Sequence, residues 1–263
     1  MIENIEELKN GYNVLTEIDG KHNEMMMDIG IYKIKKDEVE ICIDSEKETA
    51  FLLLSGKILI KWDDNEKEIE RYSLFNEDPW CLHVSRNVKV EVKALDDVEV
   101  LVQKTENKKE FESKLYSPEE CRSDVFGQGV WNDTARRVVR TVFDYSNAPY
   151  SNMVIGEVIT YPGKWSSYPP HHHPQPEVYY YRFNKPQGFG CSIIGDEVYK
   201  ITDNSIATIP GGLVHPQTSA PGYAMYYCWM IRHLENNTWT DRIVEENHKW
   251  LLEPNVKIWP ENE

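Results

Sequence analysis

The sequence predicts an all-β protein built of antiparallel strands in two halves. Three observations carry this. Long amphipathic helical patterns are scarce across the 263 residues. Short apolar runs rich in Val, Ile, Tyr and Phe recur instead. Turn signals such as Asp64-Asn65, Pro162-Gly163 and Asn184-Lys185-Pro186 separate them.

In chain order, strands are expected at 39–43, 49–62, 88–92, 98–104, 138–143, 153–161, 178–183, 205–209 and 223–231. The first half reads as a strand pair over 49–60 with Gly56 between its arms, then 72–75 and 80–84. The second repeats this loosely with 177–183, 206–210 and 213–217. The stretch 104–123 is charged and polar and reads as a solvated linker, with a short helix open to 108–114. A boundary near residue 118 gives an N-terminal domain over 1–118 and a C-terminal domain over 119–263. Residues 243–252 read as a helical cap.

The net charge of −15 disfavours nucleic acid and anionic membrane surfaces as partners. An anionic substrate would need local Arg, Lys or metal charge set against that field. The start of the chain, MIENIEELKN, is charged and lacks the apolar core of a signal peptide. No run approaches a membrane span. The five cysteines are widely spaced without a CxxC, which favours reduced, buried thiols and a cytoplasmic location.

One segment carries chemistry: Tyr168-Pro-Pro-His-His-His-Pro-Gln-Pro-Glu-Val-Tyr-Tyr-Tyr181. Side chains alternate along a strand, so His171 and His173 share a face and His172 turns away. Pro174 and Pro176 end that strand, and Glu177 opens the next. Along it Glu177, Tyr179, Tyr181 and Phe183 share one face, and Val178, Tyr180 and Arg182 the other. Downstream, Pro210-Gly-Gly-Leu-Val-His215 provides a turn whose glycines allow positive φ, bringing His215 back to the first element. His171, His173, Glu177 and His215 are therefore candidate ligands for a divalent metal. A lone HxH is weak; its combination with the glutamate and the glycine-turned histidine is what points to metal.

These two segments resemble the two motifs of the cupin superfamily, and more closely those of the 5-deoxy-glucuronate isomerase family of myo-inositol catabolism. The resemblance rests on 163–173 (Gly-Lys-Trp-Ser-Ser-Tyr-Pro-Pro-His-His-His), on 177–183 with Gln187-Gly-Phe189, and on 215–223 followed by Tyr226-Tyr227. It implies a bicupin, two β-barrels with metal in the C-terminal one. The N-terminal half agrees: it has no HxH, and His83 reads as a packed or surface residue. Two segments depart from the family: the short Pro174-Gln175-Pro176 connection and Cys228-Trp-Met-Ile-Arg-His233. Both bear on the substrate rather than on the metal.

The resemblance implies an aldose–ketose isomerase taking 5-deoxy-glucuronate to 5-dehydro-2-deoxy-gluconate. A related 4-deoxy-5-keto-uronate isomerase, a non-catalytic sugar-acid binder and an oxygen-dependent cupin are the alternatives. The metal implied is Zn or Mn, with Fe or Ni also compatible with the ligand set. Tyr179 and Tyr181 share the Glu177 face and could donate to substrate oxygens; ordinary barrel packing explains them as well. Gln217 shares the face of His215. A substrate carboxylate calls for an arginine: Arg182, Arg232 or the group Arg136, Arg137 and Arg140. Lys164 and Tyr168 flank the histidine block. Pairing through strand edges, as cupins do, would give a homodimer or larger homo-oligomer.

Overall fold

The computed structural model describes residues 1–261, and they are almost entirely strand and connecting turn. In the C-terminal half, seven antiparallel strands form one sheet in the order Ile2–Asn4, Ser205–Ile209, Glu177–Phe183, Met225–Arg232, Met153–Thr160, Arg137–Phe143, Arg122–Phe126. A second sheet runs Trp165–Ser166, Gln217–Ser219, Phe189–Ile194, Glu197–Thr202. Residues of both sheets build one apolar core, among them Tyr179, Tyr181, Ile194 and Ile201. The N-terminal half has its own core, around Phe51, Ile58, Val92 and Val100. Two cupin barrels in one chain is the result, the fold class expected.

The strand Glu177–Phe183 shows why its sequence is apolar throughout. Tyr179, Tyr181 and Phe183 face the interior of the C-terminal barrel. Val178 and Tyr180 face the other way, into a third core shared with Ile29, Ile31, Leu52 and Leu101 of the N-terminal half. The strand is buried on both faces because the two halves pack against each other. An ion cluster crosses the same boundary. Arg71 of the N-terminal half grips Glu157 with two bonds of 2.6 and 2.8 Å, and the Tyr226 hydroxyl donates to Glu157 at 2.8 Å. Arg140 adds a bond at 3.3 Å and pairs with Asp78 at 2.6 Å.

The structure corrects several expectations. Residues 47–62 are one strand, Lys47–Trp62, not a pair. Gly56 at φ 89° bends it, so its first part pairs with Val98–Glu106 and its second with Val90–Ala94. The stretch 104–123 is not a loose linker: it holds the end of one strand, the strand Lys114–Tyr116 and a short 3-10 turn at Pro118–Glu120, with Asn107 and Tyr116 buried. No helix forms over 108–114. Ile2–Asn4, at the start of the chain, joins the C-terminal sheet beside Ser205–Ala207, while the strands from Gly11–Thr16 to Lys114–Tyr116 pair among themselves. The expected cap is a 3-10 helix, Glu246–Leu252. Among the described residues no helix is long and apolar enough to cross a membrane.

Candidate metal centre and its cavity

The inward faces of four neighbouring strands of the seven-stranded sheet line a cavity of about 220 Å³, closed by the histidine loop and by residues from 239–242. Two close backbone approaches build its polar end. Gly212 N–H donates to His173 O at 2.7 Å, tying the glycine turn to the histidine loop. Gly211 lies so close to that loop that a Cβ there would sit 1.9 Å from Pro174 O. Gly212 has the positive φ (86°) the turn requires; Gly211 is needed for proximity instead. The short 174–176 connection is also clamped from outside, where Gln175 Nε2 donates to Asn237 O at 2.7 Å.

These contacts bring His173, Glu177 and His215 together, with one potential ligand atom from each lying within 4.8 Å of the others. His173 Nε2 and His215 Nε2 each lie 3.2 Å from Glu177 Oε2. His171 lines the same cavity, its ring centroid 5.1 Å from that of His215, but falls outside the tight group of three. His172 turns away, with its Nε2 3.5 Å from Glu245. The alternation read from HxH is what the backbone produces.

The second nitrogen of each ring decides what the cluster is suited to. Nδ1 of His171, His173 and His215 lies 2.8, 3.0 and 2.8 Å from a backbone carbonyl, of Pro169, Gln175 and Leu213 respectively. A carbonyl oxygen only accepts, so each Nδ1 carries the proton. In the neutral rings Nε2 then offers a lone pair, and two such lone pairs face one carboxylate oxygen. That arrangement repels itself unless positive charge sits among the three groups. Backbone-anchored Nδ1–H with a converging Nε2 is how ligating histidines are held. The donor set therefore fits a divalent ion of the Zn, Mn, Fe or Ni type.

Titration reflects the same demand. Burial alone would raise the Glu177 carboxyl; His173 and His215 outweigh it and hold it down at about 2. Burial works to lower His215, and Glu177 overrides it to raise the ring's pKa. At His171 the compensation is too weak: burial and the neighbouring His215 outweigh the Pro169 carbonyl and Glu177 and push it down to about 3, so it stays neutral.

Beside the cluster stand three hydroxyls. Ser167, at φ 49° in the left-handed region, points its Oγ to within 3.2 Å of Tyr179 Oη and 3.4 Å of Tyr227 Oη. Burial raises both phenols, Tyr179 well above its ordinary value, so they remain protonated donors. Two indole N–H groups, of Trp229 and Trp239, are buried at the cavity wall without an acceptor. Gly156 makes room for Trp229, since a Cβ there would lie 2.4 Å from the indole.

Three expected site residues lie elsewhere. Arg182 is on the opposite strand face, held by Glu99 at 2.8 Å and Asp203 at 3.3 Å, because its parity with Val178 and Tyr180 points it to the other half. Tyr181 and Gln217 do not line the cavity. They bond to each other one layer below, and Gln217 Nε2 donates to Ser167 Oγ at 3.2 Å. Of the other arginines, Arg140 belongs to the Glu157 cluster. Arg137 does line the cavity, joined by Arg242. Ser167, Trp239 and Arg242 were not singled out from the sequence. Strand parity would have separated Arg137 from Arg140, since Arg137 shares its face with the cavity residues Val139 and Thr141.

Comparison with known proteins agrees with this architecture. The family model described as KduI/IolB family matches residues 2–251. The chain belongs to the KduI/IolB family. A protein of Geobacillus kaustophilus named 5-deoxy-glucuronate isomerase is 28% identical over 241 residues, covering 85% of this chain and 84% of its own. One of the same name from Bacillus subtilis strain 168 is 24% identical over 274 residues, covering 94% and 96%. The crystal structure of an IolB-like protein from Salmonella typhimurium superposes with a TM-score of 0.86 at 23% identity, covering 96% of this chain and 99% of that one. An oxalate decarboxylase from Lactobacillus farciminis shares the fold, with a TM-score of 0.66 at 12% identity over 99% and 93%. The curated relatives are isomerases, so the cavity is the candidate active site of an enzyme.

Proposed function

We propose that this protein is a metal-dependent aldose–ketose isomerase of a sugar acid, converting 5-deoxy-glucuronate to 5-dehydro-2-deoxy-gluconate. One observation carries the metal dependence: two Nε2 lone pairs and a carboxylate oxygen converge, with every Nδ1 pinned by a carbonyl. His173, Glu177 and His215 would hold the ion, with His171 as the fourth ligand. When bound, it supplies positive charge for the oxygens that become anionic as a proton moves between adjacent sugar carbons.

The chain's own groups do the rest. Tyr179 and Tyr227, kept protonated by burial, donate to substrate oxygens. Ser167 bridges the two phenols and fixes their direction. Gln217, held by Tyr181, fixes Ser167. The walls of Trp229 and Trp239 exclude water and offer two N–H donors to sugar hydroxyls. The same reading expects a homo-oligomer, and the exposed edge strand Arg122–Phe126 is the free edge through which copies would pair.

The test gives metal-replete, untagged protein 5-deoxy-glucuronate and, in parallel, 4-deoxy-5-keto-uronate, and follows both by NMR. Conversion of the first with little of the second is expected. Stoichiometric metal with neither substrate converted would sink the isomerase reading; preference for the second would reassign the substrate.

A further inference from the structure

Three arginines are buried among the described residues: Arg71, Arg137 and Arg140. Arg71 and Arg140 are both paired with Glu157, and Arg140 with Asp78 as well. Arg137 has no carboxylate within ion-pair distance among the described residues, in a chain with 44 acidic against 29 basic side chains. It is 6% exposed and lines the cavity. Its Nη1 donates to Ala135 O at 2.8 Å and its Nη2 to Tyr168 O at 3.1 Å. Those two carbonyls fix the plane of the guanidinium and leave its other donors unused. Arg242, exposed at the rim, shares the cavity lining and adds like charge. The lining's two carboxylates, Glu177 and Asp144, make no ion pair with Arg137; Asp144 is held by Arg122 at 2.5 Å.

A buried cation without a counter-ion is expensive, by several kcal/mol, and a second arginine beside it adds repulsion. A wall that holds both in place is built for an anion that arrives from outside. Arg137 and Tyr227 line the same cavity. Tyr227, Ser167 and Tyr179 then lead from Arg137 toward Glu177. An elongated monoanion fits that layout, with its carboxylate at one end and its reacting oxygens at the other.

We propose that Arg137, supported by Arg242, is the carboxylate anchor of this cavity and makes it select sugar acids over neutral sugars. This rests on the isomerase reading for the identity of the substrate but not for the anchor itself. The anchor orients the acid so that its far end meets the histidine–glutamate cluster, and the planar fork recognises both carboxylate oxygens.

The experiment measures binding without turnover. Glucuronate and its uncharged isostere glucuronamide are titrated into metal-replete protein by calorimetry. The wild type is expected to bind the acid at least about tenfold more tightly, as a charge-assisted hydrogen-bond pair would give. Arg137→Met should lower affinity for the acid by about 10- to 100-fold, leave the amide within about twofold, and keep its metal. Arg137→Lys, which keeps the charge but not the fork, should fall between. A wild type indifferent to the charge overturns the proposal, and so does Arg137→Met weakening both ligands alike. Persistent acid preference in Arg137→Met would place the carboxylate on the metal and overturn it too. If Arg137→Met does not fold, the lysine variant and the wild-type pair of ligands decide. Acid preference without turnover of 5-deoxy-glucuronate would sink the isomerase reading and leave the anchor standing.

Discussion

Replacing Gly211 with alanine should damage metal binding from a position that touches no metal. The new Cβ would lie 1.9 Å from Pro174 O, and a real Cβ needs at least 3.0 Å, so the turn and the histidine loop must part by about 1.1 Å. The acceptor is backbone, which no rotamer change can move aside. The same shift pulls Gly212 N–H away from His173 O, a bond of 2.7 Å. Overpacking of this kind costs about 1–3 kcal/mol, and the lost hydrogen bond about 1 kcal/mol more. For a chain of this size each kcal/mol lowers Tm by roughly 2–4 °C. The larger effect is geometric, because His215 sits on the turn while His173 and Glu177 sit across the parted contact. Loss of metal affinity on the order of 10- to 100-fold follows. Gly212→Ala is the control: nothing lies within 4 Å of its Cβ, so only its positive φ is strained. That costs about 1 kcal/mol and should spare the metal. Competition with a chromophoric chelator measures affinity, and thermal denaturation measures stability. Wild-type metal affinity in Gly211→Ala would refute the claim that this contact sets the position of His215.

Other expectations follow from the same contacts. His173→Ala and His215→Ala should each strip the metal and abolish turnover, and His171→Ala should weaken both. His172→Ala should change neither, because its ring lies against Glu245 outside the cavity; equal damage from it in metal analysis would contradict the strand parity. Glu157→Gln leaves Arg71 and Arg140 buried without their shared carboxylate, and should cost about 3–5 kcal/mol in denaturant unfolding. The Glu157 carboxyl also sets an acid limit. Burial would raise it, but Arg71 and then Arg140 outweigh that and hold it below 4.5. Its stabilising contribution is therefore complete above pH 4.5 and is lost as pH falls through the lower folded value. Thermal scans should show wild-type Tm falling faster than that of Glu157→Gln below that pH; parallel curves would rule the cluster out as the cause.

Each expected run from 39–43 to 223–231 overlaps a strand, because short β-branched and aromatic runs between turn signals mark strands whether one face is buried or both. The strands Gly11–Thr16, Asp28–Ile34, Asn65–Arg71 and Glu197–Thr202 fall outside those runs. The parity of 177–183 placed Tyr179 inside the barrel and Arg182 outside it. Burial of both faces of that strand follows from packing between the halves, which no local pattern shows. The single strand Lys47–Trp62 looked like a pair because Gly56 reads equally as a turn or as a bend. The crossing of Ile2–Asn4 to the far barrel is a long-range pairing with no local signal. At the site, spacing brought out the histidines and the glutamate. Ser167 and Trp239 were hidden because each stands in a loop, where alternation does not apply. Tyr181 and Gln217 have the right parity but lie too deep along their strands to reach the cavity, so they act on Ser167 instead.

The central claim is that the histidine–glutamate cluster holds the ion on which isomerisation depends. Chelator-stripped, untagged protein should be titrated with Zn or Mn while bound metal and turnover of 5-deoxy-glucuronate are followed together. A single ion per chain, with turnover rising in proportion to occupancy and absent in His173→Ala, is the expected result. Full turnover in the stripped protein, or stoichiometric binding that survives loss of both His173 and His215, would contradict it.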